Sequence, residues 1–547
     1  MKGLYQVAAA LAASPLVLSV PNTNPLTPRA TTFNNPVLWQ DHPDLDVFRV
    51  GDVFYYSSST FAYSPGAPVL KSYDLVNWEP VSHSVPELNF GSKYNLNGTG
   101  SAYVKGIWAS SLRYRASNDK FYWMGCVEGK THIWTSPGNG AAKNKGEVSN
   151  WNWTSNPPIN SCYYDCGILV DDDDTMYVVY GNTDISVAQL SADGLKQVKS
   201  QSVYKHSGET IEGSRMYKIN GYYYIFVTRP ASAEYVLRSK SVWGPYTMKT
   251  ILSNIKGPLS SAGVAHQGGI VGTADNKWYY AAFLDAYPGG RIPVLAPITW
   301  TSDGWPQLVT DNGSWGKSYP MPVQTTKTVA SPLGTDEFKG TSLSHEWEWN
   351  HNPDKTKFRL LGGADGGLVL QTADVTNDLF AARNTLTHRI MGPKSSGTFR
   401  LDISKMKDGD RAGAVLFRDR AAYIGIHKDG ETSTIVMVNG LTLSEDNWST
   451  TGRGNVAARG PNVGAGTGEV WFRITADITP AFGTNTERTT SFAYSIDGGR
   501  TYANLGPAFG MSNSWRYFTG YRFGVFNFAT KAKGGEVTVK SFGMQLV

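Results

Sequence analysis

Three carboxylates, a histidine and a tryptophan recur at nearly one offset along the chain. Asp44, Trp108, Asp165, Glu212 and His266 stand 11 to 14 residues before Tyr55, Tyr122, Tyr177, Tyr223 and Tyr279. If one supersecondary unit carries each of them, Asp44, Asp165 and Glu212 converge on a common axis. Such a cluster supplies what an oxocarbenium-like glycosyl transition state needs: a carboxylic acid to protonate the leaving oxygen and a carboxylate to activate water or attack carbon. A third carboxylate between them would raise the acid's pKa by like-charge repulsion and hold it protonated. Competing hydrolytic chemistries lack their motifs, because neither Gly-x-Ser-x-Gly nor His-Glu-x-x-His occurs.

The elements that must position these residues are β-hairpins. Five units, Val47–Tyr56, Leu112–Trp123, Ile168–Val178, Met216–Tyr224 and Ile270–Tyr280, each read as an apolar strand, a turn rich in Gly, Asp or Asn, and an aromatic strand. Their tyrosines are separated by 67, 55, 46 and 56 residues, about the length of a four-stranded blade with its loops. Five blades around a channel follow, with the residues just upstream of each hairpin meeting at one end. After Pro320 the composition changes; Gln324–Gly334 reads as a polar linker, and alternating patterns such as Phe399–Ile403 and Val470–Ile474 predict a second, β-sandwich domain. The expected organisation is a leader at 1–20, a propeller at 31–323 and a sandwich at 336–547, all-β throughout.

Composition narrows the function classes. At 547 residues the chain exceeds one core. A net charge of +5 with scattered Lys and Arg argues against a nucleic-acid surface. Lys2 ahead of an apolar stretch from Gln6 to Val20 reads as a secretory leader, and no later segment is long and apolar enough for a membrane span, so a secreted, extracellular protein without membrane partners is expected. Asn97, Asn152, Asn312 and Asn447 begin glycosylation sequons. The three cysteines, Cys126, Cys162 and Cys166, allow at most one bridge; either Cys162 pairs with the nearby Cys166, or all three are thiols. They offer no zinc spacing. Asp171–Asp174 lacks the Gly and Glu of a calcium loop and reads as a solvated hairpin turn.

These motifs resemble glycoside hydrolase family 43. Asp44-Leu-Asp-Val-Phe-Arg49 is similar to the segment carrying the family's general base, with Leu45 in place of its usual Pro, which leaves Asp46 as a rival. Asp165-Cys-Gly-Ile-Leu-Val170 resembles the segment of its pKa modulator, and Glu212-Gly-Ser-Arg-Met-Tyr-Lys-Ile-Asn-Gly-Tyr-Tyr-Tyr224 that of its general acid. The resemblance implies a five-bladed propeller followed by a concanavalin-A-like sandwich. It also implies substrate contacts from His266, Arg291 and Trp108, whose Trp108-Ala-Ser110 departs from the family's Trp-Ala-Pro. No cofactor is required, although a structural cation such as calcium can sit on the axis near His266. Asp41-His-Pro-Asp44, Tyr63–Leu70 and Cys162-Tyr-Tyr-Asp165 look closest to fungal members that remove arabinofuranosyl groups from doubly substituted xylose units, with Tyr164 beside the pocket.

The expected activity is that of an inverting exo-α-L-arabinofuranosidase, acting as a monomer on arabinoxylan. β-Xylosidase and arabinanase are rivals within the family, and a non-catalytic glycan-binding protein is the rival from another class.

Overall fold

The computed structural model describes residues 30–98, 100–464 and 468–547, so the expected leader lies outside the described residues. Among the described residues the regular elements are strands apart from two single-turn helices, and the five expected hairpins are the inner two strands of five four-stranded antiparallel sheets. The innermost strands are Asp46–Val50, Ser111–Arg115, Gly167–Val170, Glu212–Ile219 and His266–Gly272. In the fourth blade the turn Asn220-Gly221 has both residues left-handed, φ 50° and 78°, as a two-residue hairpin demands. Because aromatic and β-branched side chains alternate along these strands, adjacent blades bury continuous apolar faces against each other. The ring is closed by Thr32–Asn34 pairing with Ser318–Pro320, and by the Asn35 amide bridging Leu295 and Gly316 at 2.8–3.0 Å.

The second domain is a concanavalin-A-like sandwich of two large antiparallel sheets. Glu469–Asp477 shows why: Val470, Phe472, Ile474 and Ala476 point into the core while the residues between them do not. One sheet continues into the propeller, since Tyr63–Ser64 pairs with Trp349–Asn350. The seam also holds the buried carboxylate of Glu348, which accepts from Arg389 at 2.9 Å, Arg522 at 2.6 Å and the propeller's His83 at 3.0 Å. These charges hold Glu348 well below the usual carboxylate range against the upward push of burial.

Glu348→Ala would leave two buried guanidiniums without their anion, and is expected to cost about 3–5 kcal/mol in a denaturant titration. A loss under about 1 kcal/mol would contradict this reading of the seam.

Candidate active site

Asp44 and Asp165 each stand two residues before an innermost strand, Trp108 stands three before one, and Glu212 and His266 begin theirs. Asp44 and Asp165 are both left-handed, φ 56° and 50°. Non-glycine residues pay for this conformation, roughly 1 kcal/mol each, and keep it where the surroundings fix it. Here Arg215 does so. Its guanidinium, almost fully buried, donates to the carbonyls of Asp44 at 3.0 Å, Leu45 at 2.9 Å and Cys166 at 2.8 Å. One side chain of the fourth blade thereby ties the backbones carrying Asp44 and Asp165 to the strand that begins with Glu212.

Asp44 and Asp46 differ in their hydrogen bonding. Asp46 is fully buried, and its carboxylate is consumed by Arg113 at 2.5 Å, Ser111 at 2.6 Å and the Leu112 N–H at 3.1 Å. It braces two blades and has no room for water or sugar. Asp44 instead accepts from Arg291 Nη1 at 2.8 Å and the Ser59 hydroxyl at 2.6 Å, an anion's setting at the end of the channel.

Glu212 is half-buried and accepts from Asn182 at 2.7 Å and the Tyr164 hydroxyl at 3.3 Å. Burial pushes its carboxyl up; the Tyr164 and Asn182 hydrogen bonds and the Arg291 charge oppose this, and the Asp44 charge adds to the push. Asp165 rises further, first through burial, then through Glu212 and Asp44. The three carboxyls are near enough to feel one another. Burial leads at both Asp165 and Glu212, and like charge adds to it at each.

A carboxyl whose pKa is raised delivers its proton below that pKa and loses the ability as pH climbs through it. Because Asp165 and Glu212 interact, the last proton lost belongs to the pair and not to either carboxyl alone; Asp165→Asn removes one member and is expected to move the alkaline limb of kcat/KM to lower pH and to cut kcat by about 10²-fold. A pH–rate profile with an unmoved limb would contradict the coupling.

The remaining expected residues gather at the same place. His266 donates its Nδ1–H to the Val264 carbonyl at 2.8 Å, and its Nε2 lies 3.9 Å from Asp285. Asp285 in turn sits 3.4 Å from Arg291 Nε. Burial lowers the imidazole's pKa, which favours its neutral form. Trp108 is 38% exposed and meets Tyr164 edge to face at 6.3 Å; both line a recess of about 240 Å³ that reaches Asp165. Two larger hollows, about 600 and 610 Å³, lie beside the linker and the domain seam and are lined by none of the three carboxylates.

Sequence reasoning missed the contribution of the second domain. Phe518 stacks on Phe61 at 5.6 Å and lies 5.0 Å from the Arg291 guanidinium, and the half-exposed Trp515 packs on Phe518. Asp41 anchors this loop, accepting from the N–H groups of Arg291 at 2.8 Å and Gly520 at 3.0 Å. A local pattern carries no trace of a contact made across 479 residues of sequence.

The cysteine expectation is corrected: Cys126 bonds to Cys162, with Cα atoms 5.1 Å apart, and Cys166 is a buried thiol. Cys126 faces Thr131 across a hairpin, and the Thr131 N–H bonds the Ser161 carbonyl, so the ladder itself delivers Cys162 to Cys126. Cys166 points away toward the Met124 carbonyl. The acidic turn is also less solvated than expected. Asp171 is buried and holds Lys218 and Tyr223 at 2.6 Å, while Asp174 binds Arg115 at 2.9 Å.

For an axial cation, the donors beside His266 are few. Among the described residues no group of three or more His, Cys, Asp or Glu is arranged to hold a metal ion.

Comparison with known proteins agrees with this geometry. Residues 33–306 match the model for glycosyl hydrolases family 43, and residues 335–545 match the beta xylosidase C-terminal concanavalin A-like domain. A beta-xylosidase of Formosa agariphila is 28% identical, covering 93% of this chain and 90% of its own. The non-reducing end alpha-L-arabinofuranosidase BoGH43B of Bacteroides ovatus is 30% identical over 63% of this chain and 67% of its own. A solved GH43 glycoside hydrolase, engineered in its active site to display both endo-xylanase and exo-arabinofuranosidase activity, is 66% identical with a TM-score of 0.93, covering 94% of this chain and all of that one. With half its length matched by the family model and carboxylates meeting at the end of the propeller axis, the chain belongs to glycoside hydrolase family 43.

Proposed function

We propose that this enzyme is an inverting, exo-acting α-L-arabinofuranosidase that removes arabinofuranosyl side chains from doubly substituted arabinoxylan. The observation that carries the reading is the opposed setting of two carboxyls. Asp44 is gripped by a guanidinium and a hydroxyl, whereas Glu212 is pushed toward its protonated form by burial.

In this reading Asp44 takes a proton from water as that water's oxygen attacks the anomeric carbon. Glu212 gives its proton to the departing glycosidic oxygen on the other side. Asp44 ends protonated and Glu212 ionised, and exchange with solvent restores both. Arg291 and Ser59 hold the base, Tyr164 and Asn182 hold the acid, and Asp165 tunes it. Phe518, 5.0 Å from the Arg291 guanidinium, brings an aromatic ring of the second domain beside the group that holds the base. Trp108 and Tyr164 offer aromatic faces for the neighbouring xylan units.

Arabinose as the released sugar is supported by the likeness to the 66%-identical structure, whose engineered form displays exo-arabinofuranosidase activity. β-Xylosidase is the second reading, favoured by the names of several relatives. The Cys126–Cys162 bridge accords with a secreted enzyme in an oxidising compartment. Because one chain supplies both domains that build the pocket, a monomer suffices.

Product analysis on singly and doubly substituted arabinoxylan oligosaccharides tests the reading. Arabinose released chiefly from the doubly substituted units is expected; xylose released from the non-reducing end would overturn it.

A further inference from the structure

A fourth acid lies among the residues that support the carboxylates, and the reaction above does not use it. Glu234, in the strand Ala233–Ser239 of the fourth blade, is completely buried. Its Oε2 accepts from the backbone N–H of Gln267 at 3.1 Å, and Thr228 Oγ1 accepts from the same N–H at 3.2 Å.

Gln267 is an unusual residue to hold. It follows His266 directly, is left-handed with φ 49°, and sits where the pairing of the innermost strand slips between His266 and Gly269. A bulge of this kind re-aims the side chains beside it and persists only when its surroundings fix it. The Gln267 side chain also packs on the residue after Glu212, because a Cβ at Gly213 would lie 2.7 Å from its Cγ. Thr228, the second acceptor, is the cross-strand partner of Glu212.

We propose that Glu234 is a positioning residue for glycoside hydrolysis. By gripping the Gln267 N–H it fixes the bulge that aims His266, and through the Gln267–Gly213 contact it fixes the backbone that presents Glu212 to the leaving oxygen. The inference rests on Glu212 as the acid.

The chemistry of the site favours a neutral grip. Burial pushes the Glu234 carboxyl up to about 8, against the pull of the neighbouring Tyr280 hydroxyl, the Gln267 N–H, Thr228 and the Arg215 charge. Below that pH the group is a carboxylic acid with one acceptor and one O–H. A glutamine amide reproduces both functions in the same shape.

The test compares Glu234→Gln, Glu234→Leu and Thr228→Val on two aryl glycosides of the sugar the enzyme releases, one with a phenolate and one with a 2,4-dinitrophenolate leaving group. A well-ionised leaving group needs no proton, so damage transmitted through Glu212 shows only with the poor one. Glu234→Gln is expected to stay within about threefold of wild type on both substrates. Glu234→Leu is expected to lose about 30-fold in kcat on the phenyl glycoside, a misplacement effect, with KM and dinitrophenyl turnover within about threefold. Its alkaline limb should shift downward as Glu212 leaves its packed site.

Thr228→Val keeps the carboxyl and should show the same pattern at about a third of that loss, so it carries the test if Glu234→Leu fails to fold. Unchanged kinetics in both apolar variants would overturn the proposal, as would equal losses on both leaving groups or a glutamine variant as damaged as the leucine one. Glu212→Gln on the same pair separates the two claims. If it shows no leaving-group dependence, the acid assignment fails, while a glutamine rescue of the leucine defect still supports positioning.

Discussion

Asp44→Asn should lower kcat by about 10⁴-fold, the upper range for a removed general base, while leaving KM within a few-fold. The amide keeps the shape, its oxygen accepting from Arg291 while its NH2 turns to donate to the Ser59 hydroxyl oxygen, but it cannot take a proton from water. Sodium azide should restore part of the rate, because azide attacks carbon without needing a base, and the product should be a glycosyl azide of configuration opposite to the substrate. The comparison with Asp46→Asn sharpens the assignment. Asp46 is spent on Arg113, Ser111 and Leu112, so its loss should appear as about 3–5 kcal/mol of lost stability, with any folded fraction retaining its turnover. Were the two effects exchanged, Asp46 would be the base.

Glu212→Gln should be as damaging, but selectively. On a natural glycosidic bond, whose leaving alkoxide must be protonated, a loss of about 10⁴-fold is expected. On a 2,4-dinitrophenyl glycoside the loss should shrink to about tenfold, because proton transfer no longer limits the step. The alkaline limb of the pH–rate profile should disappear with the carboxyl. In wild type that limb lies above the range of an ordinary glutamate: burial raises Glu212 and the Asp44 charge adds to it, so the acid is delivered below the raised pKa and lost as pH climbs past it. Kinetic measurement on the two leaving groups decides the matter, and an equal loss on both would mean that Glu212 binds without donating.

Much of this site could be read from the chain because a propeller repeats one local device. Each innermost strand begins at its axial residue or two to three positions after it and precedes an aromatic strand, so a tyrosine spaced at blade length marks where Asp44, Asp165, Glu212 and His266 must lie. The parts that stayed hidden are those with no local period. Arg215 was in plain view in Glu212-Gly-Ser-Arg215, yet its task, holding carbonyls of two other blades, depends on a ring closed over hundreds of residues. Phe518 and Trp515 enter from another domain on a loop pinned by Asp41. The cysteines misled for a related reason. Nearness in sequence suggested Cys162 and Cys166, but the intervening Asp165 is left-handed and turns Cys166 inward, while strand register sets Cys162 beside Cys126.

The central claim is that an acid and a base from separate blades act on opposite faces of one anomeric carbon. Proton NMR of the released arabinose, recorded within the first seconds to minutes before mutarotation blurs it, tests that claim most directly. The β-anomer should appear first from an α-linked side chain. Early accumulation of the α-anomer would mean that a covalent glycosyl-enzyme forms, and that Asp44 attacks carbon in place of water.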